Sequence, residues 1–171
     1  METWDAITSR RNVRKFTDEH IPDGDIDRIL EAARRAPSSK NWQPWDFVAV
    51  TDRDQLADLA GVGRYADYLG GAAAAIALVV RDFEEASERE TAFFDLGQAS
   101  ISIMLGAVDL GIASGHAAVF DQDAARRVLG LPGDRVCPYV VALGYPAARP
   151  LKPVERPNRR SFDDVVHRHR W

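Results

Sequence analysis

The sequence has 171 residues, of which 46% are hydrophobic and 28% charged, and its formal net charge is −4 at pH 7. These proportions are typical of one folded globular domain, and we treat residues 1–171 as a single domain. An acidic chain has no global positive field, so we expect no nucleic-acid partner. The only cysteine, Cys137, lies in an apolar run and is predicted to be a buried core residue.

A cytoplasmic location is expected on two grounds. One cysteine cannot form an intrachain disulfide, which fits a reducing compartment. The first residues also lack the basic stretch and the apolar stretch that together make a signal peptide. The longest apolar run, Ala72 to Val80, is far shorter than a membrane span, so we expect no membrane partner.

The spacing of apolar residues and the capping residues predict the elements in chain order. Helices are predicted at 1–10, 23–36, 52–59, 88–110 and 121–129. Strands are predicted at 45–50, 74–80, 112–116 and 139–143, with a last short element of either kind at 162–167. Together these elements predict a mixed α and β domain with a sheet of about four strands.

Particular residues define the character of these elements. Trp4 and Ile7, together with Ala6, are the apolar residues of the first helix, and Asp23 is expected to cap the second. The strand at 74–80 has no polar face, which indicates a central strand buried on both sides. The helix at 88–110 is rich in apolar and small residues, which indicates a core helix with close neighbours.

The stretch from Arg10 to Phe16, the Arg10 segment, places four cations within seven residues of an acidic chain. In an extended segment, residues two apart share a side, so Arg10, Asn12 and Arg14 point together, with Arg11 opposite. Guanidinium groups bind phosphate through paired hydrogen bonds and stay charged at any working pH. The segment is therefore either an anion-binding site or a solvated run of charge.

The loop at 37–45 reads Pro-Ser-Ser-Lys-Asn-Trp-Gln-Pro-Trp and carries two hydroxyls, two amides and several backbone donors. Such groups can fix a heteroaromatic ring by its carbonyls and ring nitrogens, while Trp42 or Trp45 packs nearby. The alternative is a plain connection in which the serines hydrogen-bond their own backbone. A third polar stretch runs from Arg156 to Arg160. It is either a solvated extension or a second group of cations that binds the same anion as the Arg10 segment.

The sequence contains no HExxH, CxxC or GxSxG motif, no GxxxxGK[ST] loop and no dinucleotide fingerprint. We therefore name no catalytic side chain and no metal ligand. His116 stands alone after a predicted strand, and Asp95 lies in the long helix without a visible partner. Groups that bind an anionic, ring-containing cofactor, without a nucleophile or general base, indicate an enzyme whose cofactor performs the chemistry.

These segments resemble the motifs of the FMN-dependent nitroreductase family. The family's Arg-x-[Ser/Asn]-x-[Arg/Lys]-x-Phe motif is matched by Arg10, Asn12, Arg14 and Phe16. Its Ala-Pro-Ser-x-x-Asn-x-Gln-Pro-Trp-x-Phe motif is matched at 36–47, and this match is the more specific one. The Leu-Gly-Tyr-Pro turn at 143–146 and the closing Arg159-Arg160 are also similar, so the resemblance extends over almost the whole chain.

The resemblance implies an α+β fold, with a mixed central sheet of about four to five strands wrapped by helices, in an intertwined homodimer. It implies FMN as cofactor, NADH or NADPH as hydride donor, and a nitroaromatic, quinone or similar conjugated acceptor in a ping-pong cycle. The phosphate and ribityl side of FMN would then meet Arg10, Arg11, Asn12 and Arg14, with Arg159 and Arg160 reaching the phosphate from the tail. The flavin ring would meet Pro37, Ser38, Ser39 and Asn41 of the other subunit, and Gly144 near the turn.

Larger members of the family carry a mid-chain insertion that covers the flavin, whereas this chain has only a short acidic stretch between Arg81 and Phe94. The flavin is then expected to be open or covered by another segment, such as Tyr65 and Tyr68. Three alternatives stay open: a specialised reaction on the same fold such as reductive dehalogenation, a flavin-storage protein without turnover, and a protein that binds some other anion. Neither NADH nor NADPH is favoured by any motif.

Overall fold

The computed structural model describes residues 1–171 and contains five α-helices and four β-strands, the numbers that the sequence predicts apart from the further element expected at 162–167. The helices are α1 (Thr3–Ser9), α2 (Asp23–Arg34), α3 (Arg53–Leu59), α4 (Ala86–Asp109) and α5 (Gln122–Leu129). The strands are β1 (Trp45–Val50), β2 (Ala74–Arg81), β3 (Ala113–Ala118) and β4 (Arg135–Gly144). Short 3₁₀ turns lie at Ser39–Asn41 and Asp67–Gly71.

The strands form one sheet in the order β1-β2-β4-β3, and every neighbouring pair is antiparallel. β2 lies inside the sheet and seven of its eight residues are buried, which confirms the prediction of a central strand. The mixed pairing implied by the family resemblance is limited to one parallel bridge, between Asn12 and Ser114. Because β3 is an outer strand, that bridge places the Arg10 segment along the edge of the sheet.

β4 is longer than the predicted strand at 139–143 because it continues through a proline. Pro138 has no N–H to donate to a neighbouring strand, and a proline inside a sheet is therefore normally found at an edge or a bulge. The pairing of β4 with β2 shifts register at this point, between Leu78 and Val80. The bulge lets the strand extend back to Arg135.

Each face of the sheet carries its own apolar layer. One layer joins the sheet to α2 and α4 through residues such as Ile29, Leu78 and Ile103. The other joins it to α3 and α5 through residues such as Leu56 and Ala125. The sheet therefore lies between two helical layers and is buried on both faces.

α4 is the longest helix and packs against α1, α2, β2 and β3. By length and composition alone it is apolar enough to cross a membrane, with a mean hydropathy of 1.3. In the structure it buries one side, including Leu96, Ile103 and Met104, in the core, as predicted for a core helix.

α1 buries only one of its three apolar residues. Ala6 and Ser9 are buried, whereas Trp4 is 71% exposed and Ile7 is 46% exposed. A pattern of apolar residues identifies a face but not the surface that covers it, and within this chain nothing covers this one.

Two local predictions are wrong. Asp23 is the first residue of α2 and makes no capping bond, and Pro22 occupies the N-cap position. Residues 162–167 form only turns. The tail packs on nothing that would bury Phe162, which is 65% exposed, so no regular element is stabilised there.

Cys137 lies on β4 and is buried, as predicted. Burial raises the pKa of its thiol to about 12. Since the thiolate is the reactive form of cysteine, this thiol is chemically inert near neutral pH.

Candidate functional site

The Arg10 segment is held along the sheet edge by its backbone. The Val13 N–H donates to the Ser114 carbonyl at 2.9 Å, and the Thr17 N–H donates to the Tyr145 carbonyl at 2.8 Å. The approach to β3 is so close that a Cβ on Gly115 would lie 2.4 Å from the Val13 carbonyl oxygen. Because the backbone fixes the segment, its side chains remain available for a ligand.

Gly144 ends β4 and lies beneath Phe16, the last residue of the first motif. A Cβ on Gly144 would lie 2.7–2.9 Å from three atoms of the Phe16 side chain. Packing against Phe16 therefore accounts for the glycine at this position. Contact between Gly144 and a flavin ring stays a prediction.

Arg10 and Arg14 converge on the outer side of β3. Arg10 donates to the Asn12 side-chain oxygen at 3.2 Å. Burial first, and then the positive charges of Arg10 and Arg14, lower the pKa of His116 on β3. The alternation of side chains along the segment predicts the pairing of Arg10 with Asn12 that the structure shows, and a joint role with Arg14 stays a prediction. No sequence signal places His116 near the two arginines.

Arg11 points away from that group, toward the tail. Its guanidinium donates to the carbonyl oxygens of Arg149 and of Pro150, the latter at 3.3 Å. Burial and the charge of Arg149 lower the pKa of Arg11. A cavity of about 600 Å³ lies between Arg11 and residues 149–156. A contact between the Arg11 side chain and FMN stays a prediction.

Three buried hydroxyls, those of Ser9, Tyr68 and Ser114, have no hydrogen-bond partner, and all three flank the Arg10 segment. Ser9 directly precedes the segment, Ser114 bridges Asn12, and the Tyr68 ring centroid lies 5.8 Å from the Arg14 guanidinium carbon. Buried polar groups without partners are costly and rare. Each of the three oxygens is enclosed by protein, so a ligand at the surface does not reach them in this arrangement, and they belong to the packed support beneath the segment.

The loop at 37–45 is strained. Lys40, Asn41 and Gln43 have φ angles of 52°, 57° and 52°, and a left-handed conformation costs a non-glycine residue on the order of 1–3 kcal/mol. Ser38 stabilises the turn, since its carbonyl accepts from the Asn41 N–H at 3.0 Å and its hydroxyl accepts from the Gln43 N–H at 2.9 Å. Strain of this kind persists where the surrounding structure enforces it, most often at functional sites.

Asp95 of α4 anchors the loop from inside the protein. Its side chain is buried and accepts hydrogen bonds from the Ser39 N–H at 3.0 Å and the Ser39 hydroxyl at 3.3 Å. A third bond comes from the Gln98 amide at 3.3 Å. The sequence gives one indication of this contact, which is the presence of an acid within an apolar helix. That pattern predicts that Asp95 has a hydrogen-bond partner, but it does not identify Ser39.

A cavity of about 550 Å³ opens between the loop and the first turns of α4. Its lining residues are Ser39, Lys40, Trp42, Ser87, Glu88 and Thr91. Pro37 and Asn41 are exposed on the same loop. Tyr65 is 65% exposed, but Tyr68 is 8% exposed and packs beneath Arg14, so the expectation that Tyr68 covers a flavin is wrong.

Arg159 and Arg160 are exposed, and their hydrogen bonds are local. Arg159 donates to the Asn158 carbonyl at 2.8 Å, and Arg160 donates to the Asp164 carbonyl at 2.6 Å. The structure does not bring either residue into contact with the Arg10 segment. Their place at the FMN phosphate stays a prediction.

The two candidate binding regions meet α4 at different points. Arg10 donates to the Met104 sulfur at 3.6 Å, whereas Ser39 binds Asp95. The nine residues between positions 95 and 104 correspond to a rise of about 14 Å along an α-helix. Within one chain, the groups predicted to bind the phosphate and those predicted to bind the ring are thus separated along the helix.

The family model described as "Nitroreductase family" matches residues 7–69 and 62–145. An Archaeoglobus fulgidus protein, provisionally named NADH dehydrogenase/NAD(P)H nitroreductase, is 34% identical over 169 residues, which cover 96% of this chain and 96% of that protein. This chain belongs to the nitroreductase family. The Bacillus subtilis FMN reductase (NAD(P)H) is 33% identical over 136 residues, which cover 74% of this chain and half of that protein's length.

A crystal structure from Parabacteroides distasonis, of a protein with the same provisional name as the archaeal relative, has a TM-score of 0.84 at 26% identity. The match covers 99% of this chain and 98% of that one. The family resemblance and the nitroreductase fold are therefore confirmed. The family match includes the Arg10 segment, the loop at 37–45 and Gly144, and it ends before Arg159 and Arg160.

Proposed function

We propose that this chain is an FMN-dependent oxidoreductase that takes a hydride from NADH or NADPH and passes it to a nitroaromatic, quinone or similar conjugated acceptor. The names of the archaeal and Bacillus relatives support both the nicotinamide and the flavin. The observation that carries the proposal is the Arg10 segment held along the sheet edge, in which Arg10 donates to Asn12, within the stretch that the family model matches. A cytoplasmic location, without a membrane partner, belongs to the same proposal.

The residues of the Arg10 segment would hold the phosphate of FMN. Arg10 and Arg14 provide charge-assisted hydrogen bonds, which are about twice as strong as neutral ones. Neighbouring positive charge also stabilises the negative charge that reduction adds to a flavin.

The loop at 37–45 would orient the flavin ring, and the cavity beside it would receive the substrates. When bound, FMN accepts a hydride from one substrate and donates it to the next. Nicotinamide and acceptor occupy the cavity in turn, so the chain needs to exclude water and present a flat surface, which Trp42 offers at the cavity wall. No side chain is required as a nucleophile.

We propose that the protein is a homodimer whose two FMN sites each use both subunits. Trp4 and Ile7 on α1, and Phe94 and Ile101 on α4, are exposed apolar residues, and α1 packs on α4. Phe94 and Ile101 are seven residues apart and share one helix face. A second copy would cover this surface and bring its own loop toward the Arg10 segment, which accounts for the separation of the two regions along α4.

The visible absorption spectrum of the purified protein tests the cofactor, and anaerobic addition of NADH or NADPH tests the reaction. We expect a flavin spectrum that bleaches within seconds to minutes and recovers when a nitroaromatic or quinone is added. A flavin that stays oxidised would favour a storage protein. A protein that remains colourless after incubation with FMN would contradict the proposal as a whole.

Sedimentation equilibrium tests the shared site. Phe94→Glu combined with Ile101→Glu places two charges on the exposed face of α4 and should yield a monomer that no longer retains FMN. Phe162→Glu is the control, because it adds a charge at an exposed aromatic of the tail. A monomeric double variant that keeps FMN at full affinity would contradict a site built from two subunits.

A further inference from the structure

Asp95 is a buried acid that hydride transfer does not require. Its three hydrogen-bond donors are the Ser39 N–H, the Ser39 hydroxyl and the Gln98 amide, all of them neutral. None of the ion pairs in the structure includes it. A buried carboxylate normally has a cation beside it, because leaving the charge uncompensated is costly. Because an unpaired carboxylate at this position is costly, we infer that Asp95 serves a purpose other than stability.

The position of its partner suggests that purpose. Both oxygens of Asp95 bind Ser39, which begins the 3₁₀ turn at Ser39–Asn41. Lys40 and Asn41, the next two residues, are left-handed. The carboxylate therefore fixes the backbone at the start of the strained stretch, and its charge lies directly behind that stretch.

We propose that Asp95 is a positioning residue for the flavin ring, which holds the loop in its strained shape and opposes reduction of the flavin with its charge. The inference rests on the proposed function, because that function places the loop against the ring. Reduction adds negative charge to a flavin, so a fixed negative charge nearby destabilises the reduced form more than the oxidised form. Asp95 thereby lowers the midpoint potential of the bound cofactor.

Asp95→Asn tests both parts, because it removes the charge and keeps one oxygen for the Ser39 N–H. FMN affinity is measured by fluorescence titration, and the midpoint potential by reductive titration with a reference dye. We expect a more positive potential, and an affinity roughly tenfold weaker, as follows from losing a hydrogen bond to a charged group. Circular dichroism of the flavin-free protein shows whether the variant is folded.

Ser39→Ala separates the two effects and replaces the first test if Asp95→Asn does not fold. It deletes the hydroxyl bonded to Asp95 and leaves the charge in place. FMN affinity should fall while the midpoint potential stays close to that of the wild-type protein. Unchanged affinity in Ser39→Ala would overturn the role of Asp95 in holding the loop.

Asp109→Asn is the matched control on the same helix. Asp109 undergoes the same loss of charge, but it binds the Met1 amino group at 2.7 Å and Arg28 at 2.9 Å, far from the loop. Its FMN affinity and midpoint potential should equal those of the wild-type protein. An Asp95→Asn protein with wild-type potential and affinity overturns the inference alone, whereas a wild-type protein that binds no FMN overturns the proposed function with it.

Discussion

The Arg10 segment and the loop at 37–45, the two predicted binding regions, are built in opposite ways. The segment is extended, contains no left-handed residue, and presents four cations without any carboxylate of its own. The loop has three left-handed residues within four positions, and its shape is fixed by the uncharged groups of Ser38 and by a buried acid. One region relies on charge and the other on shape.

The difference matters because the two kinds of interaction have different tolerances. Charge acts over about 10 Å at ordinary ionic strength, so small displacements of a guanidinium change binding little. A hydrogen bond weakens steeply outside a narrow range of distance and angle, so a loop that recognises a ring must be held in one conformation. We therefore expect substitutions in the segment to affect affinity, and substitutions around the loop to affect the properties of the bound flavin.

The largest effect is expected from Arg10→Ala combined with Arg14→Ala. Each guanidinium bond to phosphate contributes about 1.5–3 kcal/mol, so FMN affinity should fall by a factor of roughly 100 or more. Riboflavin, which has no phosphate, should bind the wild-type and variant proteins alike. Fluorescence titrations with the two flavins measure this difference directly.

The control for that experiment is Arg34→Ala combined with Arg35→Ala. It removes the same charge from α2, where both arginines bind only Glu31 on the surface. FMN affinity should be unchanged. If the Arg10 and Arg14 double variant also retained full affinity, charge at the sheet edge would have no part in cofactor binding.

A smaller effect, on stability, is expected from Gly115→Ala. This substitution disturbs the packing of the Arg10 segment against β3 and leaves the charge of the segment unchanged. The added Cβ would meet the Val13 carbonyl oxygen, a backbone atom, at 2.4 Å. The segment must move away from β3, and we expect a loss of about 1–3 kcal/mol, as in other overpacked sites. Thermal unfolding followed by circular dichroism measures it.

Gly24→Ala is a comparison variant that should change stability in the opposite direction from Gly115→Ala. Gly24 lies in α2 and has no atom within 4 Å of the position where a Cβ would be. Alanine should stabilise the helix by roughly 0.5–1 kcal/mol. If both glycine variants changed the melting temperature in the same direction, the close approach at Gly115 would not be what fixes the segment.

The smallest expected effect is on the pH dependence of stability, because the positive charges of Arg10 and Arg14 act on His116. The pKa of His116 is lowered by burial and by Arg10 and Arg14, so the folded protein binds a proton there less readily than the unfolded chain does. The contribution of His116 to the free energy of unfolding is then fully present above about pH 6.5, the ordinary imidazole pKa. This contribution declines as the pH falls below that value. His116→Gln should flatten the melting temperature of the flavin-free protein between about pH 7 and pH 5.

The double variant of Arg10 and Arg14 should weaken the same pH dependence without removing the histidine. An identical pH dependence in the wild-type protein and in His116→Gln would show that this imidazole is not affected by folding. Burial is the larger cause of the lowered pKa, so part of the dependence should remain when the two arginines are gone.

Elements that local chemistry determines were predictable from the sequence. Asp121 caps α5 by accepting from the Ala124 N–H at 2.8 Å, and Gly130 ends that helix with a φ of 65°. Both follow from a few neighbouring residues. The same holds for the alternation that groups Arg10, Asn12 and Arg14.

Contacts between distant parts of the chain were not predictable in this way. Asp95 and Ser39 are 56 positions apart, and nothing in either neighbourhood specifies the other. Tyr68 lies beneath Arg14 because the apolar layer on the α3 and α5 side of the sheet places it there, and its sequence context suits a surface cover equally well. Helical periodicity identifies Trp4 as part of an apolar face, but it does not encode whether anything in the chain covers that face.

Because the Cys137 thiol is unreactive near neutral pH, it does not compete with a cysteine introduced elsewhere for site-specific labelling. A thiol with a pKa of about 12 is almost entirely protonated at pH 7, so maleimide reagents should leave the wild-type protein unmodified. A single cysteine introduced in the tail, for example by Ser161→Cys, would then be the one reactive group. A fluorophore attached there would report whether the tail approaches the Arg10 segment when FMN is added, with no need to replace a native residue first.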